Sequence, residues 1–191
     1  MGLLTLLSAL LGACQGGGGD REQPGDTPNP VLADLLQKAI DAEIGRMNPV
    51  WAPGLLPQAP QQARAWLGEI DEVVARCRYG PGNRTKSNLL EYDVRLRSGE
   101  QIQDVYSGLR CLYGTARPLV MRVRFEAGQV REVLTDGRER EASTTAASNE
   151  LRQFAHSVVR LDWDRRESLY FPPPKTPQDI AREWTPPPPP R

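Results

Sequence analysis

The chain has 191 residues, and its 24 basic and 24 acidic side chains leave a formal net charge of zero. This balance argues against a nucleic-acid-binding domain, which usually carries a basic excess. The length is that of one domain, and most of the 18 prolines lie at 24–60 and 172–190, so the middle of the chain is expected to hold the core.

The first 13 residues predict a cleaved export signal. The apolar run at 3–11 is shorter than the roughly 20 residues that a membrane-spanning helix needs, and the small residues after it are typical of a signal cleavage site. The motif LGAC, residues 11–14, resembles the lipobox of bacterial lipoproteins. That resemblance implies cleavage before Cys14 and lipidation of Cys14. Because Gln15 rather than Asp follows, it also implies sorting to the outer membrane, facing the periplasm.

The segment that follows predicts a tether and then a helix. Residues 14–30 are dominated by Gly, Pro and charge, which favours a lipidated, flexible linker with an end-to-end distance of roughly 20–25 Å. Residues 31–47 carry apolar side chains at helical spacing, with Asn29 as cap and Pro30 in the first turn. Residues 48–60 contain four prolines and predict a connector without helix.

Residues 61–79 combine two patterns, which favour a helix to about Leu67 and then a strand from about Glu72 to Tyr79. Two hairpins are predicted next, one at 89–113 with its turn at 98–100 and one around the EAG turn at 126–128.

A second amphipathic helix is predicted at 146–161, followed by an extended aromatic segment. Together the elements predict a single α+β domain at 31–171, an antiparallel β-meander of four to five strands with an N-terminal and a C-terminal helix packed on one face. Residues 172–191 predict a Pro-rich disordered tail.

The cysteines link location and fold. If Cys14 carries lipid, Cys77 and Cys111 remain as an even pair, which in an exported chain predicts a disulfide. Such a bridge would close a loop of about 35 residues and contribute roughly 3–4 kcal/mol in the chain-entropy model. In a cytosolic protein with a fortuitous amino terminus, the same two residues would be unpaired buried cysteines.

The stretch YDVRLRSGEQIQDVYSGLRC, residues 92–111, is similar to the CNP-like family of proteobacterial envelope proteins. In that family a hairpin ends in an aromatic residue, followed closely by Gly, an aliphatic residue, Arg and Cys. The corresponding residues here are Tyr106, Gly108, Leu109, Arg110 and Cys111. Where the family has a further Cys after an aromatic pair, this chain has Tyr170-Phe171-Pro172. The resemblance implies an envelope protein and no particular activity.

Few residues in the sequence suggest catalysis or metal binding. His156 is the single histidine, and it is expected at the surface, outside any catalytic triad. Asp162 and Asp164, with Glu167 nearby, could hold Ca²⁺ on an extended segment. Neighbouring arginines favour a solvated salt-bridge cluster instead. The sequence predicts no cofactor, no metal site and no catalytic residue.

Four arginines are the candidate anion-binding residues, and they are Arg95, Arg97, Arg122 and Arg124. Alternation places them on the polar side of two strands, where aligned guanidinium groups could bind lipid phosphates or peptidoglycan carboxylates. The competing interpretation is an exposed sheet face on which they pair with Glu91, Asp93 and Glu132.

The favoured function is that of a non-enzymatic, lipid-anchored protein of the bacterial envelope that binds another envelope component or serves its assembly. Expected partners are the membrane, through Cys14, and an envelope protein, lipid phosphate or peptidoglycan, but not nucleic acid. The alternative is a carboxylate-dependent envelope hydrolase or transferase built on Asp162 and Asp164.

Overall fold

The computed structural model describes residues 24–78, 89–110, 120–135, 145–173 and 175–183. The helices in these ranges are α1 (Pro30–Arg46), α2 (Ala59–Glu69), α3 (Thr145–Arg165) and α4 (Pro177–Glu183), with a 3₁₀ turn at Glu167–Leu169. The strands are β1 (Thr27–Pro28), β2 (Ile70–Arg78), β3 (Leu89–Leu96), β4 (Gln101–Arg110), β5 (Met121–Glu126) and β6 (Gln129–Thr135).

The described strands form one antiparallel sheet of six strands in the order β1-β6-β5-β2-β3-β4. The α+β class with an antiparallel sheet is therefore confirmed, with more strands than the four or five expected. Only part of the sheet follows the simplest consecutive order, because the hairpin β5–β6 pairs with β2 rather than with β4. Strand β2, which directly follows α2, is therefore central, with β3 on one side and β5 on the other.

Opposite charges match across the central strand in this arrangement. Glu72 of β2 lies opposite Arg95 of β3 and opposite Arg124 of β5. Cross-strand pairs of opposite charge stabilise a sheet, and the consecutive order would have placed only one arginine-bearing strand beside β2.

The core lies between the sheet and helices α1, α2 and α3, which pack on one sheet face. Tyr92 of β3 meets Phe154 of α3 with ring centroids 5.1 Å apart in an edge-on arrangement. The Trp66 indole of α2 donates a 2.8 Å hydrogen bond to the Val158 carbonyl of α3. All four residues, Tyr92, Phe154, Trp66 and Val158, belong to one buried cluster. Helices α2 and α3 and the sheet therefore share a single core.

Local sequence signals explain several element ends. The Asn29 side chain accepts a hydrogen bond from the Leu32 amide at 2.9 Å, and Pro30 occupies the first turn, so α1 begins where the sequence predicted. The β5–β6 hairpin turns through Ala127 (φ 49°) and Gly128 (φ 79°). Two successive positive φ values in a two-residue hairpin loop are typical of a type I′ turn.

Some boundaries differ from the predictions. Helix α2 starts at Ala59, inside the segment expected to lack helix, because Pro60 occupies its first turn, where a missing amide costs nothing. Helix α3 continues to Arg165, so the segment expected to be extended after residue 161 begins as helix. Its buried Leu161 and Asp162 hold this extra turn against the core.

Within the predicted tail, residues 177–183 form the short helix α4. The Thr176 hydroxyl accepts a 3.2 Å hydrogen bond from the Asp179 amide, and the Asp179 carboxylate accepts one of 3.0 Å from the Thr176 amide. This reciprocal capping box starts a helix even beside prolines. The five prolines at 186–190 lie outside the described residues.

Candidate functional site

Three of the four predicted anion-binding arginines converge on one carboxylate on the polar face of the sheet. The sheet-face cluster consists of Glu72, Arg95, Arg122 and Arg124. The Glu72 side chain is only 10% exposed, and its oxygens lie 3.3 Å from Arg95, 3.4 Å from Arg124 and 3.9 Å from Arg122.

Other carboxylates also contact these arginines. Arg95 binds Asp71 at 2.7 Å, and Arg124 binds Glu132 at 3.0 Å, as the exposed-face interpretation predicted for Glu132. The hydrogen bond to Asp71 raises the pKa of Arg95 against the opposing effect of burial, and the charges of Glu72 and Asp71 raise it further. Because carboxylates already neutralise these guanidinium groups, the sheet face holds no evident excess of positive charge for a ligand.

Arg97 has a different role from the one predicted. Its guanidinium donates hydrogen bonds to the Gly68 carbonyl at 3.1 Å and to the Phe125 carbonyl at 2.7 Å. Gly68 lies in the last turn of α2, where backbone carbonyls lack helical partners. Arg97 thus ties the end of α2 to β5 and lies apart from the sheet-face cluster.

A second charged site lies between α1 and α3, and the sequence did not predict it. The α1–α3 groove is an open recess with a volume of about 500 Å³. Its lining residues are Glu43, Arg46, Asn149, Arg152, Gln153 and His156.

Glu43 forms the buried floor of this groove, with a side chain 5% exposed. One of its oxygens lies 2.6 Å from Arg160 Nε and 3.0 Å from His156 Nδ1, and the other lies 3.3 Å from Arg46 Nε. Burial would raise the pKa of Glu43. Hydrogen bonds and charge from Arg160, followed by those from His156, outweigh burial and hold this pKa below its ordinary value of 4.5.

The ionised Glu43 fixes the groups around it. Because it accepts from His156 Nδ1, that nitrogen carries the proton, and the other ring nitrogen of the half-exposed imidazole keeps its lone pair when the ring is neutral. Arg160 lies between this carboxylate and the Trp163 ring, 4.6 Å from the ring centroid, which adds a cation–π contact.

The groove carries excess positive charge. The guanidinium groups of Arg46 and Arg152 line the recess beside the single carboxylate of Glu43, so positive charges outnumber negative ones. Arg160, which does not line the recess, contacts the same carboxylate. The side chain of Arg152 is exposed and contacts the Asn149 amide oxygen. Guanidinium groups with spare N–H donors beside a recess are suited to bind an oxyanion.

Asp162 and Asp164 do not face one site, as the less favoured calcium-binding and hydrolase interpretations would require. Both residues lie on helix α3 rather than on an extended strand, and residues two apart on a helix point to different sides. Asp162 is buried and accepts a 3.4 Å hydrogen bond from the Tyr170 hydroxyl, whereas Asp164 is exposed. Burial, followed by the charge and hydrogen bond of Asp162, raises the pKa of Tyr170.

In the described part of the chain, no three His, Cys, Asp or Glu side chains form a group that could hold a metal ion. Within the same residues, no helix is long and apolar enough to cross a membrane.

Two of the three cysteines lie outside the described residues. Cys14 and Cys111 belong to undescribed segments, and of Cys77 only the backbone, paired with Leu90 in the sheet, is described. The predicted Cys77–Cys111 disulfide therefore lies outside the described residues and stays a prediction.

The sequence offered one signal for the groove. Glu43 follows Ile40 by three residues and Leu36 by seven, so it occupies the apolar face of α1, where a carboxylate needs buried partners. His156 is exposed at the surface as predicted, but its partner comes from a helix more than 100 residues earlier.

No protein-family model, curated protein or solved structure matches this chain.

Proposed function

We propose that this chain is a lipid-anchored protein of the bacterial cell envelope, facing the periplasm from the outer membrane, whose folded domain binds an oxyanion of another envelope component. The oxyanion, a phosphate or a carboxylate, occupies the α1–α3 groove, and Cys14 carries the lipid. The domain acts by binding rather than by catalysis.

The observation that carries this proposal is the charge of the groove. Burying the Glu43 carboxylate brings guanidinium groups from two helices to one recess, and their number exceeds what one carboxylate neutralises. The sheet-face cluster contrasts with this, because Glu72, Asp71 and Glu132 already pair with its arginines.

The single histidine makes the groove directly observable. Inorganic phosphate or acetate is titrated into the protein while the ring proton resonances of His156 are recorded by NMR. These resonances should shift and then saturate. Arg152→Gln removes one charged donor, which is expected to weaken binding roughly tenfold, since a hydrogen bond to a charged group contributes about 1.5 kcal/mol or more.

The matched control is Arg95→Gln in the sheet-face cluster, which removes the same charge from the same domain. It should leave the phosphate affinity within twofold of the original. Equal losses in the two variants, or phosphate binding without any shift at His156, would show that the oxyanion does not bind in the groove.

The anchor is tested separately. A Cys14→Ser variant should move from the membrane fraction to the soluble fraction of cells, because lipidation requires the thiol. Mass spectrometry with and without reductant would test the predicted Cys77–Cys111 bridge in the exported protein. An unchanged distribution of the Cys14 variant contradicts the anchor but not the groove.

A hydrolase is the second candidate function. Its candidate catalytic residues are Glu43 and His156, which contact each other, rather than Asp162 and Asp164, which do not face one site. A carboxylate at 3.0 Å from Nδ1 orients an imidazole as a general base for water. Hydrolysis of phosphodiester or ester substrates that is lost in His156→Asn would support this candidate. If the protein binds phosphodiester and ester substrates but hydrolyses neither, the hydrolase is ruled out and the binding function stands.

A further inference from the structure

An exposed apolar tip lies at the same end of α1 as the groove. Val50 and Trp51 are both 78% exposed, so most of the surface of a tryptophan faces water. Tryptophan has the largest apolar surface of any side chain, and its burial is strongly favourable. Met47 before this tip and Leu55 after it are both buried, in contrast to the tip itself.

The tip is held in place by its own turn. The Trp51 amide donates to the Asn48 carbonyl at 2.8 Å, and the Val50 amide donates to the Asn48 side chain at 3.0 Å. Buried residues before and after the turn fix its ends to the core. The indole is therefore presented on an ordered turn rather than on a free loop.

This turn is joined directly to the groove. Arg46, the last residue of α1, lines the groove and precedes Asn48 by two residues. The turn keeps the Trp51 Cα within about 7 Å of the Asn48 Cα. The turn that carries the exposed indole therefore follows directly on the end of α1 that lines the groove.

We propose that the α1–α3 groove and the Val50–Trp51 tip form one surface that docks on an anionic phospholipid bilayer. This inference rests on the proposed function and names the source of the oxyanion, which is the phosphate of a lipid headgroup. The tip enters the interface, where tryptophan is enriched because it is apolar with one polar N–H.

Charge and tether support this occupant over a protein partner. Basic residues are attracted to an anionic lipid surface, so Arg46 and Arg152 favour an anionic bilayer over a neutral one. The proposed lipid at Cys14 and a linker reaching roughly 20–25 Å keep the domain beside a bilayer at all times. A weak docking surface is sufficient under that high local concentration.

The test uses the chain from residue 15 onward, which lacks the proposed lipid site and retains every described element. Sedimentation with vesicles of phosphatidylglycerol and phosphatidylcholine, against vesicles of phosphatidylcholine alone, should show binding only to the anionic vesicles. Trp51→Ser should lower the partition coefficient at least fivefold, and so should Arg152→Gln. Raising the salt concentration to 0.5 M should weaken vesicle binding, because salt screens the attraction between the exposed arginines and the lipid phosphates.

The matched control is Val31→Ser, which removes another exposed apolar residue, 60% exposed, at the opposite end of α1. It should leave partitioning within twofold. Equal loss in Val31→Ser and Trp51→Ser, or equal binding to neutral vesicles, would overturn the docking surface.

The phosphate titration separates this inference from the proposed function. If the protein does not bind the vesicles but its His156 resonances still shift with phosphate, membrane docking is overturned and the oxyanion groove stands. Capture of an acidic protein by the same groove, without vesicle binding, would do the same. Failure of both experiments overturns the groove as a binding site.

Discussion

Replacing Glu43 with Gln is predicted to destabilise the domain by about 2 kcal/mol at neutral pH. A hydrogen bond to a charged group contributes about 1.5–3 kcal/mol, and the 2.6 Å contact with Arg160, itself 23% exposed, falls at the low end of that range. The pairs with Arg46 and His156 involve side chains more than half exposed, so they count as surface pairs of about 0–1 kcal/mol each. The amide oxygen of Gln recovers part of this loss.

The loss should depend on pH in a specific direction. The folded pKa of Glu43 lies below its ordinary value of 4.5, so its ionised form stabilises the fold fully above the unfolded pKa. That contribution disappears as the pH falls through the folded pKa. The difference between the original protein and Glu43→Gln should therefore be present above pH 4.5 and shrink as the pH falls below that value.

Urea unfolding followed by tryptophan fluorescence, repeated from pH 7 down to pH 3, measures this difference. Glu167→Gln is the control, because Glu167 is exposed and should change the free energy of unfolding by less than about 0.5 kcal/mol throughout. A Glu43→Gln effect that stays the same at every pH would refute the reasoning, since it would reflect packing rather than the ionised carboxylate.

Three further changes test the fold. Trp66→Phe should lower the free energy of unfolding by about 2–3 kcal/mol, through a cavity and the lost bond to Val158; thermal denaturation unchanged by the substitution would contradict that contact. Tyr170→Phe should cost about 1–2 kcal/mol in the same assay, because buried Asp162 loses a donor, and a stabilised variant would argue against the bond. Ala127→Asn should raise the melting temperature by relieving up to about 1 kcal/mol of strain at positive φ; a lower melting temperature would contradict the I′ turn.

Elements with a strong local pattern were predictable. Helix α1 has both its cap and its apolar spacing within residues 29–46, and the sequences of strands β3 and β5 alternate clearly. The end of α3 was misjudged because charged residues after residue 161 hide the helical pattern, although Asp162 is buried against Tyr170. Burial of a polar residue depends on a partner that the local sequence does not identify.

The two charged sites show the same limit. Alternation placed Arg95 and Arg124 on a polar sheet face, but it could not show that both would lie opposite Glu72. That outcome depends on β5 pairing with β2, a choice between partners far apart in the chain. Likewise, His156 was recognisable as the single histidine, whereas its carboxylate lies on α1.

The sequence by itself indicated most of the helix and strand segments and the α+β class, because these depend on neighbouring residues, and it also predicts a lipid anchor at Cys14. Only the tertiary structure decided which strand lies beside which and which charges meet. Packing α1 against α3 brings Glu43 to Arg160 and His156, and it leaves Arg46 and Arg152 beside an open groove. The physical reason is that the energy of a buried charge is set by contacts across the fold, which no local pattern encodes.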